Sequence, residues 1–343
     1  MMKVGVLGAG SWGIALAVLL SHNGAEVYLW GRPEDGIEDI KTERESCRFL
    51  PGVKVPANVN PTTDMAMALR EAKLAVLAVP SQAVRDVAKK VKSHLEPETV
   101  LVNVAKGLEI NTTMRMSQVA EDVLGAEIRE RYGVLSGPSH AEEVGRCLPT
   151  AVTVAAYNKK TAYFIQDAFM SPEFRVYTNP DVAGVELGGA LKNIIALSTG
   201  IANGIGYGDN TAAALLTRGL TEIVRMGKAL GGNPRTFSGL SGIGDLVVTC
   251  GSLYSRNFRA GQLLGQGCTL EKTLEQIGMV VEGITTTRVV YELSGKMNID
   301  MPITIACYNI IYRGRPPLEE VRNLMRRQKK HEMEEIVNDM QGW

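Results

Sequence analysis

The segment KVGVLGAGSWG at residues 3–13, followed by EVYLWGR at residues 26–32, decides the fold of this chain. Its first five residues form a short and mostly apolar run, which is typical of a strand buried on both faces. A nearly uniformly apolar helix is predicted from Trp12 to Leu20. Asn23-Gly24 is expected to end it, and Val27 to Trp30 forms a second strand. The pattern therefore predicts a β-α-β unit with a glycine-rich turn after its first strand.

Three glycines in this turn have the spacing G-x-G-x-x-G. Gly8 permits a tight turn, Gly10 lets the backbone approach a pyrophosphate, and Gly13 lets the helix lie close to the strand. The pyrophosphate would meet free N–H groups and the positive end of the helix dipole. We therefore predict a dinucleotide site; the alternative is a turn that is tight for structural reasons only.

The end of the second strand bears on cofactor choice. NAD-selective sites usually place an acid there to bind the ribose 2′-hydroxyl, but this chain has Gly31-Arg32. An arginine can pair with a 2′-phosphate, so the sequence predicts that NADP is accepted and favoured over NAD. A solvated arginine near the adenine is the alternative, and Glu34 or Asp35 could still reach the ribose, which leaves NAD open.

Composition limits the classes of function. The chain has 343 residues, 45% hydrophobic residues and a formal net charge of zero, which suits two domains and argues against nucleic acid or an anionic membrane as the main partner. Five scattered cysteines without a C-x-x-C pair predict reduced thiols. We find no signal peptide and no apolar run long enough to span a bilayer, so a cytoplasmic protein is expected.

The pattern along the chain changes near Pro180. Before it, strands alternate with helices, and strand signals begin at Leu74, Thr99, Gly133, Thr150 and Phe174. After it, helical periodicity dominates. We therefore predict an α/β Rossmann-type domain with a doubly wound sheet over residues 1–180, followed by an all-α C-terminal domain over 181–343. The Lys/Glu-rich tail is read as a helix or a frayed end.

Ligands of open α/β sheets bind beyond the carboxyl ends of the strands. Lys106 lies just past one such end, and the segment from Ser136 to Ser139 lies past another. The N–H groups of this segment and the Ser139 hydroxyl could hold polar groups of a substrate. The alternatives are a solvated lysine and an ordinary helix cap.

The helical half supplies a second lysine. Gly188 and Gly189 precede Lys192 by about one turn and permit close approach of backbone or cofactor. Apolar neighbours of Lys192 predict a lowered pKa, which makes an ammonium group a usable proton donor. A lysine that extends to solvent is the alternative.

Further candidates follow in glycine-rich and helix-start segments. Asp245 could orient a lysine ammonium, or it is a loop or cap aspartate. Ser255 reads as an N-cap, which places Arg256 and Asn257 in a first helical turn suited to phosphate. Val280 and Glu282, in VVEG, are candidates for contact with a nicotinamide, although an acid at a helix N-terminus is favourable by itself.

The motifs together resemble one family. GAGSWG, PSQAV, AKGLE, SGPSHAEEV, GGALKN, SGIGDLVVTC, SRN and VVEG occur here in the order found in bacterial NAD(P)-dependent sn-glycerol-3-phosphate dehydrogenases. The resemblance runs from Lys3 to about Tyr312. It implies reversible reduction of dihydroxyacetone phosphate to sn-glycerol 3-phosphate with NADPH or NADH, a supply for phospholipid synthesis, no metal, and a homodimer.

The resemblance also implies roles for residues. Lys192, Asp245 and Lys106 would be catalytic. Substrate contacts would come from Lys106, Gly137, Ser139, Lys192, Asn193, Asp245, Thr249, Ser255, Arg256 and Asn257. Cofactor contacts would come from the glycine loop (Gly8, Gly10, Gly13) and from Ser11, Trp12, Arg32, Lys106, Ala141, Arg256, Val280 and Glu282. Relatives often have Thr at position 139 and Phe or Tyr at position 12, and Ser139 and Trp12 keep the hydroxyl and the aromatic ring.

Two other functions fit parts of the pattern. A related two-domain NADP-dependent dehydrogenase acting on a hydroxyacid would also use Lys192 and Arg256. A redox sensor that holds NADP without turnover would have no need for two lysines and one acid in the same cleft.

Overall fold

The computed structural model describes residues 1–329, 331 and 332. Its strands are β1 (Lys3–Leu7), β2 (Glu26–Trp30), β3 (Glu45–Ser46), β4 (Leu50–Lys54), β5 (Val59–Thr62), β6 (Leu74–Leu77), β7 (Val100–Asn103), β8 (Tyr132–Ser136), β9 (Thr150–Ala156) and β10 (Phe174–Asn179). The helices of the sheet half are α1 (Ser11–His22), α2 (Ile37–Glu43), α3 (Met65–Leu69), α4 (Val84–Val91), α5 (Met116–Leu124), α6 (Ala141–Gly145) and α7 (Lys159–Phe169). The helical half contains α8 (Val182–Ile205), α9 (Asp209–Ala229), α10 (Asp245–Thr249), α11 (Arg256–Gly265), α12 (Leu270–Ile277), α13 (Glu282–Met297), α14 (Pro302–Arg313) and α15 (Pro317–Met325).

Eight strands form one sheet in the order β10-β9-β8-β7-β6-β1-β2-β5. Neighbours run parallel except β8 and β9, which are antiparallel. Apolar clusters on the two faces bury the strands against helices on each side. From β1 the chain adds β2 and β5 on one side and later β6 and β7 on the other. A crevice therefore forms at the carboxyl end of β1, where ligands of such sheets bind.

The predicted fold class is confirmed, with details that the sequence did not reveal. A short antiparallel hairpin, β3–β4, follows α2 and precedes β5. The last strand of the sheet ends at Asn179, and α8 begins at Val182. Of the predicted helical domain, Lys330 and residues 333–343 lie outside the described residues. No helix in the described part of the chain is long and apolar enough to cross a membrane.

Helix α8 is the central element of the helical half, and glycines let α11 cross it closely. A Cβ on Gly200 would lie 2.1 Å from the Phe258 carbonyl oxygen, and one on Gly261 would lie 2.2 Å from the Leu197 carbonyl oxygen. Such distances are far shorter than van der Waals contact, so only glycine allows this crossing. As a result, the N-terminus of α11 lies close to the middle of α8.

A buried carboxylate joins α8 to the sheet half. Glu186 accepts hydrogen bonds from Ser117 N (2.7 Å), Ser117 Oγ (2.6 Å), Arg115 Nη1 (2.8 Å) and Tyr132 Oη (3.0 Å). These partners lie at the start of α5 and at the start of β8. Because a buried charge is tolerated only when it is well paired, this network fixes the position of α8 against the sheet.

Candidate active site

The glycine loop has the geometry of a phosphate-binding turn. Gly8 has φ +129°, and a Cβ there would lie 2.5 Å from the Ala78 carbonyl oxygen. A Cβ on Gly13 would lie 1.9 Å from the Gly8 carbonyl oxygen, whereas one on Gly10 would meet nothing within 4 Å. Helix α1 has neither a side-chain cap nor an acid in its first turn. Its N-terminus is therefore an electropositive end suited to a pyrophosphate.

Arg32 lies at the carboxyl end of β2 and is paired with the nearby acids. Its Nε and Nη2 donate to the two Asp35 carboxylate oxygens at 3.0 and 2.8 Å, and Nη1 lies 3.2 Å from Glu34 Oε1. The two acids considered as ribose ligands therefore both contact Arg32. Exposed ion pairs contribute at most about 1 kcal/mol, so a more strongly charged phosphate could displace them.

Two lysines meet at one carboxylate. Lys192 Nζ donates to Asp245 Oδ1 at 2.5 Å, and Lys106 Nζ donates to Asp245 Oδ2 at 2.6 Å. Lys192 also donates to Thr249 Oγ1 at 2.7 Å, and Lys106 to the Gly137 carbonyl oxygen at 3.0 Å. The structure thus brings together two lysines from opposite halves of the chain. We call Lys106, Asp245 and Lys192 the lysine–aspartate cluster.

The charges of this cluster are strongly coupled. Burial lowers the pKa of Lys192 to about 8, although the Asp245 carboxylate opposes that shift. Burial alone would raise the pKa of Asp245, but the two ammonium groups outweigh it and hold the pKa below its ordinary value. The carboxylate is therefore ionised near neutral pH, while the Lys192 ammonium can lose its proton near pH 8, which is suitable for proton transfer.

Local backbone features explain why these groups meet. A Cβ on Gly188 would lie 2.5 Å from the Ser241 carbonyl oxygen, and one on Gly189 would lie 2.7 Å from Ser136 Oγ. The two glycines admit protein atoms, from the segment before α10 and from the end of β8. A π-helical turn over Leu240–Gly244 leads directly into Asp245, and such turns are frequent at functional sites.

A chain of amides connects three helices beside the cluster. Asn257 Nδ2 donates to Asn193 Oδ1 at 2.9 Å, and Asn257 Oδ1 accepts from Gly283 N at 2.8 Å. Asn193 Nδ2 in turn donates to the Lys106 carbonyl oxygen at 3.2 Å. Asn193 therefore contacts the loop that carries Lys106, and Asn257 is connected to this loop through Asn193.

The start of α11 has the predicted cap. The Ser255 side chain accepts a hydrogen bond from Phe258 N at 3.2 Å. Arg256 follows, and its Nη1 donates to the Val280 carbonyl oxygen at 3.1 Å. Burial lowers the pKa of Arg256, and Glu282 partly offsets this. The guanidinium stays charged and has further donors for an anion.

Glu282 has partners that sequence reasoning missed. Its carboxylate oxygens accept from Ser81 N at 2.8 Å and from Ser81 Oγ at 2.5 Å. Ser81 follows β6 in the sheet half, so this pair connects the two halves of the chain. Burial raises the pKa of Glu282. The sequence signal was the PSQAV motif, which contributed only to the family resemblance.

The remaining candidates lie in loops and at the start of α1. Gly137 has φ +142°, and its carbonyl oxygen accepts from Ser139 Oγ at 2.9 Å. Ser139 is not a helix cap, since α6 begins at Ala141 with His140 at the N-cap. Ser11 Oγ donates to the Phe49 carbonyl oxygen at 2.5 Å, Trp12 is half-buried, and Val280 is 44% exposed. Within the described residues, no group of three His, Cys, Asp or Glu side chains could hold a metal ion.

Family models cover most of the chain. The model described as the NAD-dependent glycerol-3-phosphate dehydrogenase N-terminus matches residues 3–162, and that described as its C-terminus matches residues 181–322.

Individual relatives agree with the models. The chain is 62% identical over 343 residues, the whole of both chains, to NAD(P)+ glycerol-3-phosphate dehydrogenase of Syntrophomonas wolfei. It is 56% identical to that of Moorella thermoacetica, over 97% of this chain and 98% of the relative. The crystal structure of glycerol-3-phosphate dehydrogenase from Coxiella burnetii superimposes with a TM-score of 0.91 at 36% identity, covering 95% of this chain and 99% of that one. The chain therefore belongs to the NAD-dependent glycerol-3-phosphate dehydrogenase family.

Proposed function

We propose that this protein reduces dihydroxyacetone phosphate to sn-glycerol 3-phosphate with NADPH or NADH, and catalyses the reverse reaction. The observation that carries the proposal is the lysine–aspartate cluster, which joins the sheet half, with its dinucleotide loop, to the helical half. Family membership supports the same reaction.

In this mechanism the bound nicotinamide supplies the hydride that C2 of the ketone accepts. The Lys192 ammonium donates a proton to the C2 oxygen, so that the carbonyl becomes a secondary alcohol. Asp245 orients the Lys192 ammonium through Oδ1, and its Oδ2 accepts a hydrogen bond from Lys106 Nζ at 2.6 Å. The positive charge is in place before the alkoxide develops, which is the main source of electrostatic stabilisation.

The phosphate of the substrate is assigned to the start of α11. Arg256 and Asn257 would bind its oxygens together with the N–H groups after Ser255, because a helix N-terminus favours an anion. Gly137 and Ser139 would contact the substrate on the sheet side. Binding energy from the phosphate is remote from C2 and can therefore be used to orient the ketone.

The pKa of Lys192 predicts a pH dependence. Reduction needs the ammonium form, so kcat/KM for dihydroxyacetone phosphate should fall as pH rises through about 8. Oxidation of glycerol 3-phosphate needs the neutral amine and should rise over the same interval. Initial rates in both directions from pH 6 to 10 test this, with saturating cofactor. Parallel profiles in the two directions would contradict the assignment of Lys192 as the proton donor.

We propose that NADPH is preferred over NADH through Arg32. A 2′-phosphate can replace Asp35 as the partner of the guanidinium, and charge-assisted hydrogen bonds contribute about 1.5–3 kcal/mol. Arg32→Ala should therefore raise KM for NADPH about tenfold or more and leave KM for NADH almost unchanged. Arg48→Ala, on a nearby exposed side chain, is the control. Equal changes in KM for NADPH and for NADH would show that Arg32 does not bind the 2′-phosphate.

A substrate panel tests the reaction itself. NADPH oxidation should be rapid with dihydroxyacetone phosphate and negligible with a series of 2-oxoacids; the opposite order would favour a hydroxyacid dehydrogenase. Cofactor binding without turnover of any substrate would favour the redox sensor. The meeting of both lysines at Asp245 supports an enzyme over a sensor.

We further propose the setting in which the enzyme works. The end of the sheet at Asn179 and the start of α8 at Val182 support two domains, 1–180 and 181–343. A homodimer in the cytoplasm that supplies glycerophospholipid synthesis is the arrangement that the family resemblance supports. Light scattering would test the homodimer, and fractionation of cells would test the location in the cytoplasm.

A further inference from the structure

The imidazole of His140 connects the two halves of the chain beside the lysine–aspartate cluster. Its backbone is fixed at the N-cap of α6, because its carbonyl oxygen accepts from Glu143 N and Val144 N, both at 3.1 Å. Its side chain reaches the helical half, where Nε2 lies 3.2 Å from the Val248 carbonyl oxygen of α10. A carbonyl oxygen only accepts, so the ring donates through Nε2–H.

Helix α10 depends on contacts of this kind because it is short. It has five residues, Asp245–Thr249, and follows the π-helical turn over Leu240–Gly244. A helix of this length is not stable by itself, and the carbonyl groups of its last turn have no partner within the helix. Histidine side chains can bind such carbonyl groups. The His140 ring therefore fixes the end of the helix that carries two partners of Lys192.

Two links join the same pair of segments. In the first, Lys106 Nζ donates to the Gly137 carbonyl oxygen at 3.0 Å and to Asp245 Oδ2 at 2.6 Å. In the second, His140 donates to Val248, and each of these residues lies three positions after its counterpart in the first link. Lys106 is an expected substrate contact, so a ligand competes for its donors. The His140 link uses no group assigned to substrate or cofactor and can keep the spacing of the two segments when a ligand binds.

The surroundings of His140 favour a neutral ring. Burial lowers the pKa of His140 below its ordinary value, and the Lys192 ammonium acts in the same direction. The hydrogen bond to Val248 opposes this shift, as do Glu142 and Glu143 on α6. Because Nε2–H is present both in this neutral tautomer and in the imidazolium, the hydrogen bond persists on either side of the pKa.

The ring also contacts the segment that leads to the expected phosphate site. The ring centroids of His140 and Tyr254 are 5.7 Å apart, with the planes tilted by 55°, which is a favourable geometry for aromatic pairs. Tyr254 directly precedes Ser255, the N-cap of α11. One side chain of the sheet half thus contacts both the end of α10 and the approach to α11.

We propose that His140 is a positioning residue of the active site: its Nε2–H holds α10 against the segment from Ser136 to Ser139 and thereby keeps Asp245 and Thr249 in contact with Lys192. This role rests on the proposed function, in which the lysine–aspartate cluster is catalytic.

Three substitutions separate the hydrogen bond from the ring. His140→Gln places an amide N–H near the position of Nε2, His140→Asn ends near the position of Nδ1, and His140→Phe keeps the ring against Tyr254 but has no donor. We expect kcat/KM for dihydroxyacetone phosphate to fall at least about fivefold in His140→Phe and His140→Asn and to stay within about twofold of the wild type in His140→Gln. His94→Phe, at an exposed histidine of the sheet half, is the control and should have wild-type kinetics.

The pH profile gives a second readout. In His140→Phe the fall in kcat/KM for reduction should move to lower pH by about 0.5 unit, because Asp245, which opposes the lowering of the Lys192 pKa, is less well placed. The other groups that act on this pKa are Lys106, which lowers it, and Cys250, which raises it; neither is substituted. The profile of His140→Gln should coincide with that of the wild type, which would not hold if His140 were itself the acid or base.

Hydrogen exchange tests the position of α10 without any substrate. Amides of residues 245–250 should exchange at least about fivefold faster in His140→Phe than in the wild type, while those of β8 stay unchanged and show that the variant is folded. A wild type that does not reduce dihydroxyacetone phosphate would refute the proposed function, whereas faster exchange in α10 would still support the link through His140. Unchanged exchange of these amides in His140→Phe would overturn the proposal. Equal losses of kcat/KM in His140→Gln and His140→Phe would also overturn it, because packing of the ring would then matter more than its N–H group.

Discussion

Replacing Lys192 with alanine is expected to abolish turnover while NADPH still binds. In the proposed mechanism the ammonium, which lies 2.5 Å from Asp245, donates the proton to the C2 oxygen, so its removal would eliminate both the general acid and the positive charge beside the developing alkoxide. General acid catalysis alone contributes about a hundred- to ten-thousand-fold. We expect a loss in kcat of this size or larger, measured by NADPH oxidation with dihydroxyacetone phosphate.

Two controls separate this chemistry from damage to the fold. NADPH binding, followed by fluorescence, should be unchanged in Lys192→Ala because the glycine loop is in the other half of the chain. Lys228→Ala, at an exposed lysine on α9, should have wild-type kcat. The assignment would be wrong if Lys192→Ala turned over dihydroxyacetone phosphate at a rate near that of the wild type.

The local elements of the nucleotide-binding half could be predicted well from the sequence. The strand, glycine turn and helix at residues 3–22 are encoded by contiguous residues, and steric limits on Gly8 and Gly13 leave few other conformations. The Ser255 cap was predicted on the same basis and is confirmed by its bond to Phe258 N. Interactions between residues a few positions apart can be predicted from the sequence, because such residues stay close together in every conformation of the chain.

Contacts between distant segments of the chain were harder to predict from the sequence. Ser81 and Glu282 are 201 positions apart, and nothing local to either residue shows that they meet. Gly188 and Gly189 were recognised as points of close approach, yet the approaching atoms belong to Ser241 and Ser136. These outcomes depend on tertiary packing, which overrides local preference.

The coupling between the halves follows from these distant contacts. Glu186, the Ser81–Glu282 pair and the lysine–aspartate cluster each connect the sheet half with the helical half. In each contact a carboxylate from the helical half accepts from donors of the sheet half, and at least one partner is buried. Because unpaired buried charges are costly, these contacts fix the relative position of the two halves at the place where the proposed mechanism brings the ketone to the cofactor and Lys192.

Replacing Arg256 with alanine is expected to raise KM for dihydroxyacetone phosphate by at least about tenfold, since a charge-assisted hydrogen bond to a phosphate is lost. Arg256 is held by the Val280 carbonyl oxygen at 3.1 Å, which leaves other guanidinium donors for the substrate. In the proposed mechanism part of the phosphate binding energy orients C2, so kcat should also fall. Steady-state kinetics at saturating NADPH measure both effects.

The same helix offers a matched control. Arg259 is exposed one turn after Arg256 on α11, so Arg259→Ala removes the same charge without touching the phosphate site and should leave KM unchanged. Arg256→Lys should recover part of the affinity, because a lysine keeps the charge but loses the planar pair of donors. A KM for Arg256→Ala equal to that of the wild type would show that the phosphate binds elsewhere. Equal increases in KM for Arg256→Ala and Arg259→Ala would instead indicate general electrostatic attraction to the cleft, which added salt would reduce.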